Sequence, residues 1–566
     1  MPLSGRTVFE AKVHKSGNTE SVEIPFILGV LGNFTGTRRL HKNKRSKSSF
    51  VKLEPRTLDR VMRHMAPTLE LTVPSFGSQE HPESTLALTL ILESLEDFEP
   101  SRIAARLHGF GVDQPAVTKP SETNCVSVEE KCLGGVCLPN GAAQSSIPND
   151  LLARQLDSIL HAPQFKQLHA SWLGIKSLLA HWSDIVPLQI EILDISKEEL
   201  VTDFEGGDAS PTLSDAVATA LSVDYWGSHP PSALLVDYEF GYDDVRHLTA
   251  LAALAEEYQT VVIAGASAKF LPVDRFLDLN DIDRTRENHK RIGGMLGWRT
   301  FRNQDCSKRV FLAIPPVLLR QPYTAVSLDS SQSGTYTETT DSDDLSCYLW
   351  GNGAFVVAQL LLNGFIDFGW VPAISPLHLF GKVLEYPVHT GMSGAASELV
   401  GPTTVPVWHH TCQELSRLGF VPIVACPGTS AVAVFEDSSC HDGDGASTHL
   451  LFQLTTLRLQ HCFSLFLRHP DCYGLGDREL ERKVETWLTQ FTNQVEPSGE
   501  KAGRPAPLLE CVLISTIVRT EKTEVSATVK VNHGRNASEF QLKGLTPNDR
   551  HRDNAASDEG GLRKDI

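Results

Sequence analysis

Residues Ile24–Leu40 read IPFILGVLGNFTGTRRL, an apolar run that passes through Gly29, Gly32 and Gly36 into a basic segment. Whether this is a phosphate cradle or a buried strand that turns decides what kind of protein the chain is. The glycines space as G-x-x-G-x-x-x-G, which is neither the G-x-G-x-x-G dinucleotide fingerprint nor a P-loop ending in G-K-[ST]. A cradle also needs a helix to start straight after the glycines. Instead, Arg38–Lys47 holds six Lys/Arg in ten residues, the composition of a solvated loop. Val22–Leu31 is therefore read as a buried strand ending in a tight turn, with Gly32 and Gly36 relieving backbone strain.

Working outward, Thr7–Val13 (TVFEAKV) reads as a first strand. TLDRVMRHMAP places Leu58, Val61, Met62 and Met65 on one helical face, with Thr57 as N-cap and Pro67 as the stop. Leu86, Leu88, Leu90 and Leu92 recur at every second position, as in a half-buried strand. From 112 to 149 the apolar period vanishes and Pro, Ser, Asn and Gly dominate, which marks a linker. Its Cys125, Cys132 and Cys137 lack the CxxC knuckle and fourth ligand of a zinc site. Charge changes at the same place: residues 1–119 carry +3, leaving −21 for the rest of a chain whose net charge is −18. Such a step points to two units of different origin.

Beyond the linker, Leu152, Leu156, Ile159 and Leu160 share a helical face, Pro163 interrupts, and Phe165, Leu168, Trp172, Ile175 and Leu179 make another. A strand runs through Leu188, Ile190 and Ile192, followed by a capping box Ser196-x-x-Glu199. SALLVDYEF, DDVRHLTALAALAEEY and TVVIAGA read as strand, helix, strand, so part of this region has a parallel sheet. VFLAIP and FVPIVAC are further strands, and SLDSSQSGTYTETTDSDD between them reads as an exposed polar loop. YLWGNGAFVVAQLLLNGFIDFGW is a strongly apolar helix, with Asn352 near its start and Gly369 at its C-terminal cap. Leu480, Val484, Trp487, Leu488, Phe491 and Val495 form one helical stripe, and helical spacing alone favours the core for it. Leu508–Val531 reads as two strands, with a polar tail after FQLKGL.

The 566 residues suggest two to four domains of an α/β protein. Eleven scattered cysteines read as reduced. No apolar run reaches the roughly 20 residues that span a bilayer. The N-terminal segment lacks a signal-peptide core, so the expected location is cytoplasmic, without direct membrane insertion. An acidic chain is a poor nucleic-acid partner. Two clusters could carry chemistry. His389, Ser393, His409, His410 and Cys412 lie close in sequence, but GMSGA is not a G-x-S-x-G elbow. Asp237, Glu239, Asp243 and Asp244 gather at a strand end, where a metal or, more simply, a helix cap could use them. No cofactor motif is present, and the residues favour a structural or binding role over an enzyme.

Several blocks carry a family resemblance. IPFILGVLGNFTG, SSFVKLEPRTLDRVMRHMAPTLELTVP and LALTLILESLEDFEPSRIAARL resemble the small sheath subunit (TssB/VipA-like) of the bacterial type VI secretion system. LLARQLDSILHAPQFKQLHASWLGIKSLL, LQIEILDISKEELVTDFE, VDYEFGYDDVRHLTALAALAEEYQTVVIAGASAKFL, YLWGNGAFVVAQ, PVHT and ELSRLGFVPIVACPGT resemble the large sheath subunit (TssC/VipB-like), in family order. The resemblance implies a fusion: a small α/β sheath-subunit domain at 1–111, a linker at 112–150, a phage-tail-sheath-like large-subunit region with mixed sheets at 151–545, and a disordered polar tail at 546–566.

It also implies a mechanical role. Protomers would self-assemble into a helical sheath around an inner tube (Hcp-like), on baseplate components, and contract to drive the tube out of the cell. The work would come from repacking, without a catalytic residue. Strand exchange between protomers would use Thr7, Val8, Phe9 and Val13 and, at the other end, Val525, Ala527, Val529 and Val531. The helix of Leu480, Val484, Trp487, Leu488 and Phe491 would face the tube or the core. The chain departs from the family in three places. The small-subunit part stops soon after Leu107. The large-subunit part begins near Leu151, without the segment that binds the recycling AAA+ ATPase (ClpV-like), which leaves that partner in doubt. After FQLKGL a polar sequence replaces a closing apolar strand. Alternative readings are a non-contractile sheath-like scaffold and a hydrolase using the His389–Cys412 region.

Overall fold

The structure is a computed structural model. It describes residues 7–15, 18–37, 50–76, 85–107, 149–197, 200, 231–271, 276, 279, 296–328, 335–340, 345–393, 396–492, 506–518, 522–533 and 536–547. The basic run Arg38–Lys47, Glu199 of the expected capping box, the linker cysteines, Val495 and the polar end after Pro547 lie outside these residues.

The expected first strand runs later than Thr7–Val13: β1 (Glu10–Lys15) pairs antiparallel with β2 (Asn18–Glu23). The expected second strand divides at Pro25, which has no N–H for a ladder, and β3 (Phe26–Gly32) begins beyond it, buried at every position. The next elements are β4 (Val51–Leu53), α1 (Leu58–Met65), the β5 (Thr68–Pro74) and β6 (Thr85–Ile91) hairpin, and α2 (Pro100–Leu107). Helix α1 buries Leu58, Val61 and Met62, as its spacing requires, and Ala66 closes it in a left-handed conformation. Past the linker come α3 (Asn149–Leu160), α4 (Pro163–Leu179) and β7 (Leu188–Asp194). Then β8 (Ala233–Phe240), α5 (Val245–Glu257) and β9 (Val262–Ala266) form the expected parallel β-α-β unit.

Helix α6 (Leu296–Arg302) leads to β10 (Val310–Ile314), which adds parallel to β9. Strand β11 (Val317–Arg320) and a hairpin of β12 (Val326–Ser327) with β13 (Thr335–Tyr336) follow. Within the segment expected to be an exposed loop, Tyr336 is fully buried and Glu338 nearly so. Tyr336 donates its hydroxyl to Asp157 Oδ1 at 2.6 Å, and Arg320 donates to both Glu338 oxygens at 2.6 and 3.1 Å. These paired polar groups let a hydrophilic sequence go inside. The next helix is shorter than expected. Leu349–Gly351 pairs with β11 as β14, so α7 (Ala354–Phe368) begins after it. Asn352 Oδ1 accepts the Ala354 N–H at 2.9 Å, and Gly369 ends the helix at φ +78°.

The chain continues through β15 (Leu384–Glu385), the β16 (His389–Ser393) and β17 (Ala396–Gly401) hairpin, α8 (His409–Arg417), β18 (Phe420–Ala425) and β19 (Ala431–Val434). Helices α9 (Leu450–Leu467) and α10 (Asp477–Thr489) precede β20 (Leu508–Val518), β21 (Lys522–His533) and β22 (Asn536–Pro547). Three strands thus stand where two were expected. β22 carries Phe540 and Leu542 toward the helices, in alternation with Glu539, Gln541 and Lys543.

The central sheet has nine strands in the order β15-β19-β18-β10-β9-β8-β3-β7-β4. Its six inner strands are parallel and its flanking pairs antiparallel. The fold is therefore a mixed α/β sheet covered on both faces. Phe26, Leu28 and Val30 of β3 pack on one side with residues of α3, α4 and α7, while Leu31 packs on the other with residues of α5, α6 and α8. A third cluster gathers α9, α10 and the three-stranded sheet β20-β21-β22. Among the described residues no helix is long and apolar enough to cross a membrane.

Candidate functional site

The feature that sets this chain apart is how its front part (7–107) meets its back part (from 149). β3 runs parallel to β7 from Phe26↔Leu188 to Gly32↔Asp194, and parallel to β8 on its other side. A front-part strand is thus inserted between two back-part strands. The turn that leaves it is fixed by back-part side chains. Asp194 Oδ1 accepts the N–H groups of Phe34 and Thr35 at 2.9 and 3.1 Å, and its Oδ2 accepts the Thr35 hydroxyl at 2.8 Å. Trp172 Nε1–H donates to the Phe34 carbonyl at 3.2 Å, and the two rings meet edge-on at 5.6 Å. Gly36 sits at φ +64°, and a Cβ there would lie 2.5 Å from the Thr68 carbonyl oxygen. Gly32 is not in that backbone region, so the strain relief expected of two glycines falls to one.

Further contacts tie the seam. Gln155 of α3 donates to the Pro74 carbonyl and accepts the Phe76 N–H, at 3.0 and 3.1 Å. His169 of α4 stacks on Phe98 at 4.5 Å. Burial and the nearby Arg320 push the His169 imidazole down to about 3, so it is a neutral packing group at any ordinary pH.

The residues expected to exchange strands lie in the third cluster. Phe9 is buried against Phe491 with ring centroids 4.9 Å apart. The Thr7 N–H donates to the Phe368 carbonyl, and the Ile24 N–H to the Phe9 carbonyl. Arg458 of α9 clamps this segment: Nη1 donates to the Pro25 carbonyl at 3.0 Å and Nη2 to that of Ile24 at 2.5 Å. Its guanidinium lies 4.8 Å over the Phe9 ring and 5.0 Å over that of Phe365. Val8 is exposed, and Val13 lies on β1. Val525, Ala527, Val529 and Val531 are fully buried on β21, whose two edges are occupied by β20 and β22 of the same chain. Among the described residues the outer strands of this sheet are β20 and β22; Leu508 of β20 bridges to Thr492, and the Gln460 amide of α9 bonds both the N–H and the carbonyl of Lys543 on β22. Leu480, Val484, Leu488 and Phe491 are buried in the same cluster, and Trp487 stacks on Phe466 at 4.9 Å. The helical stripe therefore faces its own core.

The chemical candidates are placed apart. His389 Nε2 sits 3.0 Å from the Thr403 carbonyl, beside Tyr348 and Trp350. His409 and His410 open α8 and are exposed; the His409 ring rests on Phe435. Cys412 is buried, and burial pushes its thiol up to about 12, far from a nucleophilic thiolate. Ser393 is on β16, and its side chain lies outside what is described. At the carboxylate cluster, Asp244 Oδ2 accepts the Gly241 N–H at 2.7 Å and Lys197 Nζ at 2.9 Å, the cap role expected of it. Asp237 accepts the Ser171 hydroxyl at 2.5 Å. Desolvation pushes the Asp237 carboxyl up to about 7, although Ser171 opposes it. Among the described residues no group of three or more His, Cys, Asp or Glu is arranged to hold a metal.

Sequence reasoning missed the seam residues Asp194, Trp172, Gln155 and Arg458. Each is an ordinary residue on an amphipathic element, made special by a partner more than 75 positions away. The β22 strand was findable, because its period-2 alternation is present in SEFQLKGL.

Two family models match. One, described as "EvpB/VC_A0108, tail sheath N-terminal domain" (VipB), covers residues 146–441, more than half of the chain. The other, "Type VI secretion system, VipA, VC_A0107 or Hcp2", covers residues 4–110. The chain is 24% identical over 361 residues to the type VI secretion system sheath protein TssC1 of Pseudomonas aeruginosa, a match spanning 60% of this chain and 72% of that one. It is 24% identical over 102 residues to the sheath protein TssB1 of the same organism, spanning 18% of this chain and 58% of TssB1. Among solved structures it aligns with a sheath tail protein of Desulfitobacterium hafniense at a TM-score of 0.35 and 8% identity, covering 94% of this chain and 99% of that one. It also aligns with the sheath tail protein Lin1278 of Listeria innocua at 0.31 and 9%, covering 92% and 95%. At scores this low the structural likeness decides nothing.

Proposed function

The chain belongs to the VipB tail-sheath family, and on that footing we propose that it is a structural protomer of a contractile type VI secretion sheath, with both sheath subunits on one backbone. The observation that carries this reading is β3. It lies in the part that matches the small-subunit family, and it completes a sheet whose neighbouring strands lie in the part that matches the large-subunit family. Residues 1–111 would then be the small-subunit part, 112–150 the join and 151–545 the large-subunit part. Leu107 closes α2 and Asn149 opens α3, two helices that pack together. The join therefore ties together two ends that already lie side by side, which raises one half's effective concentration for the other. It does not have to span a distance.

The protomer works by changing neighbours, in the cytoplasm, around an inner tube (Hcp-like) set on a baseplate. Strand exchange would fall on the outer edges of β20 and β22, away from Leu508 and Lys543, and on the β1–β2 hairpin, since β21 is already paired on both sides. Recycling by a ClpV-like ATPase is not part of this proposal. Purified protein, alone and with an inner-tube protein, should form ordered helical polymers under the electron microscope. Isolated monomers in both samples would sink the reading. Polymers confined to a single lattice under all conditions would replace contraction with the scaffold alternative. A broad hydrolase screen should show nothing that His409→Ala or Asp237→Ala abolishes.

A further inference from the structure

We propose that the turn Ser375–Val383 is a preformed knuckle by which one copy of this chain packs against a second copy. The inference rests on the sheath reading but not on its strand exchange.

The turn is built rigidly from within. Ser375 is buried, donates its hydroxyl to the Phe435 carbonyl at 2.8 Å and accepts the Leu377 N–H on the same oxygen at 3.3 Å. The His378 N–H donates back to the Ser375 carbonyl at 3.0 Å, and the Gly381 N–H to the His378 carbonyl at 3.1 Å. The two ends of the turn press so closely that a Cβ on Gly381 would sit 1.8 Å from the Ser375 carbonyl oxygen. Phe380 is held at φ +74°, a region that bulky side chains avoid, with its ring edge-on to Phe368 at 5.3 Å. Strain of this kind persists only where the surroundings over-determine it, and it gathers at functional positions.

All that construction holds apolar side chains outward. Leu379 is 76% exposed, and Leu377 and Val383 are each 49% exposed. An anchor that is already rigid loses little freedom on docking. The occupant follows from charge. Copies of a chain with net charge −18 repel one another. Close contact between copies is therefore easiest where neither presents a charge. Phe368–Gly381 is fourteen residues without an Asp, Glu, Lys or Arg, and the charged pair at its rim, Lys382 with Asp367, is self-neutralised. A helical assembly also needs a contact between two different patches, because a self-complementary one closes into a dimer. The knuckle would be one of those two patches.

The test uses the full chain under conditions where wild type polymerises. L377D/L379D should reduce sedimentable polymer at least tenfold while the monomer's melting temperature stays within a few degrees. Gly381→Ala, which leaves both leucines in place but cannot keep the turn, should reduce it too. Should the charged variant misfold, benzophenone-alanine at position 379 of the polymer should yield, on illumination, an adduct of two full-length chains. Wild type that never polymerises would fail the sheath reading itself. Wild type that polymerises while both variants match it, or polymer with no chain-to-chain adduct from position 379, would overturn the knuckle and leave the sheath reading standing.

Discussion

The sheet around β3 and the sheet of β20–β22 treat their edges in opposite ways. The first has nine strands, is covered by helices on both faces, and ends in the short strands β15 and β4, of two and three residues. Short edges offer little to a neighbouring chain. The second has three strands, and only one face is packed against helices. Its edge strand β20 is eleven residues long and presents Leu513 at 62% and Ile517 at 56% exposure. Two register shifts, at Leu508/Glu510 and Cys511/Leu513, interrupt that edge, as bulges do where pairing is to be controlled. The first sheet is finished within the chain, and it is where the two family matches merge. The second has longer outer strands, and on the proposed sheath reading it is the one that offers a neighbour an edge. That reading divides stability and assembly between the two sheets.

Breaking the first sheet should cost most. Trp172→Ala removes a fully buried ring and the hydrogen bond that holds the β3 turn, and should lower stability by about 3–5 kcal/mol in chemical denaturation. A loss below about 1 kcal/mol would mean that the seam does not hold the fold together. Glu338→Gln comes next, at about 3 kcal/mol, because it leaves Arg320 without its buried partner. Burial alone would raise the Glu338 carboxyl, but hydrogen bonds from His161 and Arg320 outweigh it and bring it from 4.5 to about 2. A depressed carboxylate stabilises above its unfolded value, and the gain is lost as pH falls through the folded one. The gap between wild type and Glu338→Gln should therefore be full above pH 4.5 and close toward pH 2.

Arg458→Ala should cost about 2 kcal/mol by removing two charge-assisted bonds to the Ile24 and Pro25 carbonyls. Its signature is local: limited proteolysis should cut near Pro25 before the central sheet opens. Leu513→Lys on the open edge should change monomer stability by less than about 0.5 kcal/mol yet suppress polymer in a sedimentation assay. Equal loss of stability at Leu513 and Trp172 would erase the contrast between the sheets. Asp237→Asn carries the opposite sign. Asp237 has a raised value, so its carboxyl favours the folded state less as pH climbs from 3.8 through about 7. The Asn variant should match wild type near pH 4 and melt higher than it at pH 8.

Much of the first sheet was legible because its signals are local. An unbroken apolar run that ends in glycines, as in Phe26–Gly32, is what a parallel strand buried on both faces looks like. The unit from Ala233 to Ala266 showed its helix by period and its strands by branched residues. Less legible were elements whose character is decided by distant partners. Leu349–Gly351 has the composition of a helix start but pairs with Val317–Arg320. Tyr336 and Glu338 sit in a sequence that reads as solvated, and only Asp157 and Arg320 make their burial possible. The division at Pro25 was visible in principle, since proline cannot donate to a ladder, but the apolar residues on either side masked it. For the site, the blocks of sequence pointed to the right family. The exchange residues assigned to β21 could not reveal that both of its edges are filled, because edge status belongs to the sheet and not to the strand.

The most direct test is to cut the chain between residues 108 and 148, at an inserted protease site, and pass the product through size exclusion. If β3 completes the sheet between β7 and β8, the two pieces co-elute as one particle and melt in a single transition. Separate elution of a folded front piece, or two independent transitions, would contradict a single protomer made of both halves.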